Sequence, residues 1–357
     1  MDRPLLASTL ASTLPLLRWL QTDPAWPGLP LGQRAGLGWQ ARLGSLNHRL
    51  ARLNAGPTAA DLPAPLLVLG PWRSGTTVMH ELLAAATGLS TPRTWQCMNA
   101  AAFTSSGRPA GKGVRVLRPM DGLAVSADSP QEDEFALLTL GVDSAYRAFW
   151  MPHRLAQLQH TLQPEHWLQD ESWLATWLGF LADVQRSAPG RPGPVLLKSP
   201  NHSFRLAAIQ RRFPATRAVW MLRDGSEVFH SNLKMWRAMF LQHGLTEAAP
   251  QALEAFLAQA LWSCAQVLDS SHEAIRRGLL LPVQQQQLRD QGLQTVRALY
   301  PKLQLAHAID DSALAAAFTA TGGVTEAAYP PEVPAAAQAA VQAFDAAQAR
   351  AWALTAT

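Results

Sequence analysis

Pro65-Leu66-Leu67-Val68-Leu69-Gly70-Pro71-Trp72-Arg73-Ser74-Gly75-Thr76-Thr77-Val78-Met79-His80 is the stretch that decides the fold. Leu66 to Leu69 form an uninterrupted apolar run, the pattern of a strand buried on both faces. The run enters a glycine turn, and from Thr77 the apolar residues take up helical spacing. Gly70 and Gly75 have the G-x-x-x-x-G spacing of a phosphate-binding loop set between a strand and a helix. Such a loop turns successive backbone N–H groups inward and adds the positive N-terminus of the next helix, so it holds an anionic phosphate. Arg73, Ser74, Gly75, Thr76 and Thr77 are therefore candidate anion-binding residues. Where a nucleotide triphosphatase carries the Lys that reaches the β- and γ-phosphates, this chain has Thr76, and the loop's basic residue is Arg73. The loop suits fewer phosphate charges.

Further along, the alternation of strand and helix repeats. Val195-Leu196-Leu197 is an apolar strand ending at Lys198, and a helix follows from about His202 to Arg212. Thr216 to Leu222 reads as a third strand, closed by Arg223-Asp224-Gly225 and followed by a helix from about Ser226 to Arg237; residues 278–283 read as a fourth. This pattern predicts an α/β fold with a central parallel sheet flanked by helices. Arg223, at a strand's C-terminal end, faces the crevice where open parallel sheets bind ligands, and Ser231 follows about two helical turns later.

Upstream, residues 1–60 are Leu/Ala-rich and predict an N-terminal helical cap; residues 61–310 carry the main domain, and residues 311–357 an Ala/Pro-rich helical tail. Residues 104–128 read as an irregular excursion. Ser129-Pro130-Gln131-Glu132 then has the capping-box pattern of a helix start. A Trp/Leu-rich helix is expected over residues 164–187.

The chain has 357 residues with 48% hydrophobic content, enough to bury a substantial core. Its net charge of +4 carries only four lysines, Lys112, Lys198, Lys234 and Lys302, and no polybasic tract, so nucleic acid is not implied. Cys97 and Cys264 stand in unrelated contexts, with no Cys/His cluster at metal spacing, which points away from disulfide scaffolds and zinc sites. The apolar N-terminus is broken by Pro15 and Arg18, and no stretch approaches the roughly 18 uncharged apolar residues of a membrane helix. A soluble, cytoplasmic protein is the expectation.

Arg73-Ser74-Gly75-Thr76-Thr77 after an apolar strand resembles the 5′-phosphosulfate loop of sulfotransferases that use 3′-phosphoadenosine-5′-phosphosulfate (PAPS). Lys198-Ser199-Pro200, the Phe213-Pro214-Ala215-Thr216-Arg217 turn, and Arg223-Asp224-Gly225 followed by His230-Ser231 are similar to the same family, bacterial and protein-tyrosine members alike. The resemblance implies a P-loop-like three-layer sandwich and a donor site in which the loop holds the 5′-phosphosulfate while Arg223 and Ser231 hold the 3′-phosphate. It gives Lys198 the bridging oxygen of the leaving phosphate, where a cation stabilises the transition state more than the ground state. It calls for no metal. The rival readings are a nucleotide-dependent phosphotransferase, with Asp224 as its metal-binding acid but lacking the loop lysine, and a non-catalytic nucleotide-binding protein on the same fold.

An acceptor hydroxyl must give up its proton as the new S–O bond forms, so a carboxylate or histidine is expected near it. The candidates are Glu132, Asp133, Glu134, His80 and His202. Glu134 ranks first, because Glu132 already has a local explanation in the capping box and Glu134 has none; Glu132 ranks second. Protein-tyrosine members carry a base a short way beyond the loop, where this chain has Gln96, which cannot accept a proton. His80 reads as packing behind the loop. The acceptor is expected to be a hydroxyl of a small molecule, glycan or lipid.

Overall fold

The computed structural model describes residues 13–53, 62–107, 116–117, 124–187, 190–191, 193–321, 329–330 and 332–355. Two helices come first, α1 (Leu14–Gln21) and α2 (Leu31–Leu53). The elements that follow are β1 (Leu66–Leu69), α3 (Thr76–Thr87), α4 (Asp133–Thr139), α5 (Ser172–Ser187), β2 (Leu196–Lys198), α6 (His202–Arg212), β3 (Arg217–Leu222), α7 (Gly225–His243), α8 (Pro250–Ser270), β4 (Leu280–Gln284), α9 (Asp311–Thr321) and α10 (Ala335–Ala353), with shorter helical turns between.

The four strands form one parallel sheet in the order β2-β1-β3-β4, with Val68 opposite Lys198 and Leu69 opposite Trp220. Side chains alternate across it. Leu67, Leu69, Leu197, Ala218 and Trp220 face one hydrophobic cluster, while Leu66, Val68, Leu196, Val219 and Met221 face the other. Helices cover both faces, which is why these strands read as continuous apolar runs and why the architecture is the expected α/β three-layer arrangement. β1 lies between β2 and β3, so the loop leaving it opens between Lys198 at the end of β2 and Arg223 just past the end of β3. That crevice, at the C-terminal ends of the strands, is where open α/β sheets bind ligands.

Several local expectations change. The capping box at Ser129 does not form: the helix starts at Asp133 with Glu132 at its N-cap, and the Ser129 hydroxyl accepts from the Ser126 N–H at 3.0 Å, closing a turn. The Glu132 carboxylate is engaged elsewhere by tertiary partners. The helix expected over 164–187 is two, Pro164–Gln169 and α5. Asp170 separates them, its Oδ1 accepting from the Ser172 N–H at 2.9 Å. The helix expected to end at Arg237 continues to His243. Within the excursion, Val116–Leu117 and Ala124–Val125 pair as a short antiparallel ribbon; its other residues from 108 to 123 lie outside the described ones.

α1 and α2 pack together, and α1 rests on the end of α4: a Cβ on Gly141 would lie 2.4 Å from the Pro15 Cβ, so only glycine admits that approach. α10 packs along α8 and reaches α7. Among the described residues, no helix is long and apolar enough to cross a membrane.

Candidate active site

The glycine loop is held in an uncommon backbone shape. Gly70 has φ +132°, and a Cβ there would lie 2.9 Å from the Met221 carbonyl oxygen of the neighbouring strand. Gly75, at φ +94°, caps α3 in the left-handed region. Arg73 also has positive φ, +70°, which costs a non-glycine residue free energy unless its surroundings fix it. They do: its Nε donates to the Ser231 Oγ at 3.1 Å, and its carbonyl accepts from the Arg223 Nη1 at 2.8 Å. Ser203 on α6 pins the loop's start, accepting from the Gly70 N–H at 3.0 Å and donating to the Gly70 carbonyl at 3.1 Å. Asn232 donates to the Trp72 carbonyl at 2.8 Å, and the buried Ser74 hydroxyl donates to the Pro71 carbonyl at 2.8 Å. Thr76 is buried in the first turn of α3, and Gly75 and Thr77 are half-buried beside it.

Arg73 and, 150 and 158 residues further along the chain, Arg223 and Ser231 thus share one corner of the crevice. Arg223 also pairs with Glu227, Nε to Oε2 at 2.9 Å. Its backbone is clasped from α10: the Arg223 N–H donates to the Gln348 Oε1 at 2.8 Å, the Gln348 Nε2 donates to the Arg223 carbonyl at 3.0 Å, and the Gly225 N–H donates to the Asp345 Oδ1 at 2.8 Å. Burial pushes the Asp345 carboxyl up to about 6, against the pull of that N–H.

On the other side of the loop, the Lys198 Nζ lies 2.5 Å from the Glu132 Oε1, and the Tyr146 hydroxyl donates to the Glu132 Oε2 at 2.6 Å. Burial, with Glu132 next to it, raises the Tyr146 phenol well above its ordinary value, so it stays a donor. Its ring lies 6.2 Å from that of Trp72 in the loop. Glu132 and Lys198 are both buried, 8% and 2% exposed.

The other acidic neighbours face different tasks. Glu134 is fully buried and gives both oxygens to Arg205, whose guanidinium stacks 4.1 Å from the Trp167 ring centre. The two expected base candidates are therefore placed differently: Glu134, ranked first, has both carboxylate oxygens on the buried Arg205, whereas Glu132, ranked second, meets Lys198. Asp133, also fully buried, accepts from the Trp177 Nε1 at 2.8 Å and lies 2.7 Å from the His202 Nε2; burial raises its carboxyl, but these partners hold it below its usual range. His202 is thereby occupied. His80 packs behind the loop, its Nε2 2.7 Å from the Thr91 Oγ1, with burial and then Lys198 keeping it neutral. Gln96 caps its own short helix, accepting from the Arg93 N–H at 2.8 Å.

Sequence reasoning missed Tyr146, Arg205 and the Gln348–Asp345 clasp. Arg205 left a signal, standing three residues after His202 on the same helix, so that both reach the same acidic segment. The other two come from distant chain segments and leave none.

The family model that describes the sulfotransferase family matches residues 65–310, from the first strand through the whole crevice. The chain belongs to the sulfotransferase family. It is similar to omega-hydroxy-beta-dihydromenaquinone-9 sulfotransferase Stf3 of Mycobacterium bovis and of Mycobacterium tuberculosis, in each case 29% identical over 215 residues, covering 59% of this chain and 55% of the relative. The chain spans about half the length of these curated relatives. Its fold is like that of sulfotransferase STF1 from Mycobacterium tuberculosis, at TM-score 0.57 and 16% identity over 99% of this chain and 94% of that one. Sulfotransferase STF9 from Mycobacterium avium aligns at TM-score 0.54 and 18% identity, over 94% and 86% of the two chains. The Gly70–Gly75 loop, Lys198 and Arg223 all lie inside the matched region.

Proposed function

We propose that this sulfotransferase moves the sulfuryl group of PAPS onto a hydroxyl of a lipid acceptor. The observation that carries the reading is the Lys198–Glu132 contact at 2.5 Å beside the glycine loop, which pairs a cation suited to the leaving group with a carboxylate suited to the acceptor proton. The loop N–H groups, with Arg73, Ser74, Gly75, Thr76 and Thr77, receive the 5′-phosphosulfate. Arg223 and Ser231 receive the 3′-phosphate, which competes with Glu227 for the Arg223 guanidinium.

In the transfer, the acceptor oxygen forms a bond to sulfur as the bond from sulfur to the bridging phosphate oxygen breaks in line with it. Lys198 turns from Glu132 to the bridging oxygen as charge develops there, and the freed Glu132 takes the acceptor proton. Tyr146 keeps the carboxylate aimed through its 2.6 Å hydrogen bond. The sulfuryl group carries less charge than a phosphoryl group, and the loop lacks the lysine of a nucleotide triphosphatase, so the transfer itself calls for no metal. A lipid hydroxyl is the favoured acceptor because the relatives matched over 215 residues are named for a hydroxylated menaquinone derivative.

Calorimetric titration with 3′-phosphoadenosine-5′-phosphate (PAP), against ATP, ADP and AMP and without added magnesium, tests the donor half. Tight binding that needs the 3′-phosphate supports the reading; preference for ATP that appears only with magnesium would replace it with a phosphotransferase.

A further inference from the structure

Away from the crevice, three side chains converge from separate segments: Asp143 after α4, His160 in the helical turns Pro152–Leu162, and His166 in the short helix Pro164–Gln169. One ligand atom from each, a carboxylate oxygen and two ring nitrogens, lies within 4.8 Å of the other two. The hydrogen bonds around them fix which atoms face one another. The His160 Nδ1 lies 2.8 Å from the Gln157 carbonyl oxygen, which can only accept, so Nδ1 carries the proton. In the neutral ring the Nε2 lone pair then points at the Asp143 Oδ2, 2.6 Å away, itself an acceptor. Two lone pairs facing each other require a cation or a proton between them.

The third side chain adds an independent observation. The His166 Nε2 is shielded from water and has no hydrogen-bond partner among the described residues, and its ring stands edge-on to that of His160, 4.7 Å between centres. A buried ring nitrogen without a partner is uncommon, because its desolvation goes uncompensated. The remaining oxygen of Asp143 is already oriented: Oδ1 accepts from the Ser144 N–H at 2.9 Å and lies 2.9 Å from the Arg147 Nη1. Partners behind His160 and Asp143 thus orient both toward the same point, as the outer shell of a metal site orients its ligands.

We propose that Asp143 Oδ2, His160 Nε2 and His166 Nε2 bind a divalent transition metal, with zinc the best match to two imidazoles and a carboxylate, and water completing the coordination. The site is structural. Asp143 accepts at its carbonyl from the Arg205 Nη2 at 3.1 Å, and Trp167, next to His166, carries the Arg205 guanidinium on its ring. The metal therefore clamps together two walls of the cage that holds Arg205 and, through it, Glu134 and the segment that presents Glu132. The sequence reading excluded zinc for want of a Cys/His cluster, yet His160 and His166 stand at H-x5-H spacing, with the carboxylate supplied from a distant position.

The test is titration of chelator-stripped full-length protein with zinc chloride, followed by calorimetry, beside His166→Gln and His160→Gln. One equivalent is expected, with affinity reduced about tenfold or more in each variant and PAP affinity unchanged in both. Cobalt(II) added to the stripped wild type gives a second readout that needs no variant, with intense visible bands expected from a low-coordinate nitrogen and oxygen site. No stoichiometric zinc binding overturns the proposal, as does equal affinity in His166→Gln, or a cobalt spectrum no stronger than that of the hydrated ion. The first and last of these results leave a proton, in an imidazolium–carboxylate pair, as the occupant.

Discussion

Glu134→Gln separates a structural carboxylate from a catalytic one. In the native protein both Glu134 oxygens meet Arg205, and the two side chains are 0% and 1% exposed. Glutamine keeps the shape but removes the charge, and turns an amide N–H toward a guanidinium that can only donate. Breaking one half of a buried ion pair costs about 3–5 kcal/mol, because the remaining charge stays desolvated. Unfolding entropy of about 2.1 cal/mol/K per residue, over 357 residues, gives about 0.75 kcal/mol/K. The melting temperature should therefore fall by about 4–7 °C. Thermal unfolding by circular dichroism reads the loss, and kcat measured at 20 °C, where the variant is still folded, should stay within about threefold of wild type. A variant that melts with wild type, or that is folded yet loses transfer by about a hundredfold or more, would refute the assignment of Glu134 to structure and restore it as the base.

Other outcomes follow from the same geometry. Arg223→Ala should weaken PAP by about tenfold or more, since a hydrogen bond to a charged group contributes about 1.5–3 kcal/mol, and should weaken AMP by less, through the lost support of the Arg73 carbonyl alone; calorimetry checks it. Gly70→Ala should destabilise by about 1–3 kcal/mol in urea unfolding, because the left-handed backbone at φ +132° and the Met221 carbonyl leave a methyl no room. Asp345, raised from 3.8 to about 6, favours the fold only while protonated, so its contribution is lost as pH rises through about 6. Asp345→Asn should match wild type near pH 4 and exceed it by about 1–2 kcal/mol at pH 7.5, a figure reduced from the full shift because the carboxyl is partly exposed to water. Urea unfolding at the two pH values measures the difference.

The sheet was legible because both its faces are buried. Leu66–Leu69 and Arg217–Leu222 are apolar runs with glycine turns at their ends, and that signal is local. Lys198 and Arg223 were legible for a related reason, being polar residues placed immediately after such runs. The acidic segment was not. A serine, a proline and a glutamate at the right spacing read as a capping box, but the Glu132 carboxylate is worth more to the buried Lys198 than to a helix terminus, so tertiary pairing overrides the local preference. Glu134 ranked first because nothing near it in sequence explained it, and its partner, Arg205, lies 71 residues away. The same distance hides the α10 clasp: Gln348 and Asp345 sit in an Ala-rich helix and meet Arg223 and Gly225 only once α10 has packed against α8.

The most direct measurement follows radiolabelled sulfur from PAPS to a hydroxylated isoprenoid quinone in a single turnover, with wild type and Glu132→Gln compared at saturating donor. Label should move to the lipid in wild type with release of PAP, and should move at least about a hundredfold more slowly in Glu132→Gln, which still binds PAP. Transfer at the wild-type rate in Glu132→Gln would contradict the role of Glu132, and no transfer from PAPS to any hydroxyl acceptor would contradict the account as a whole.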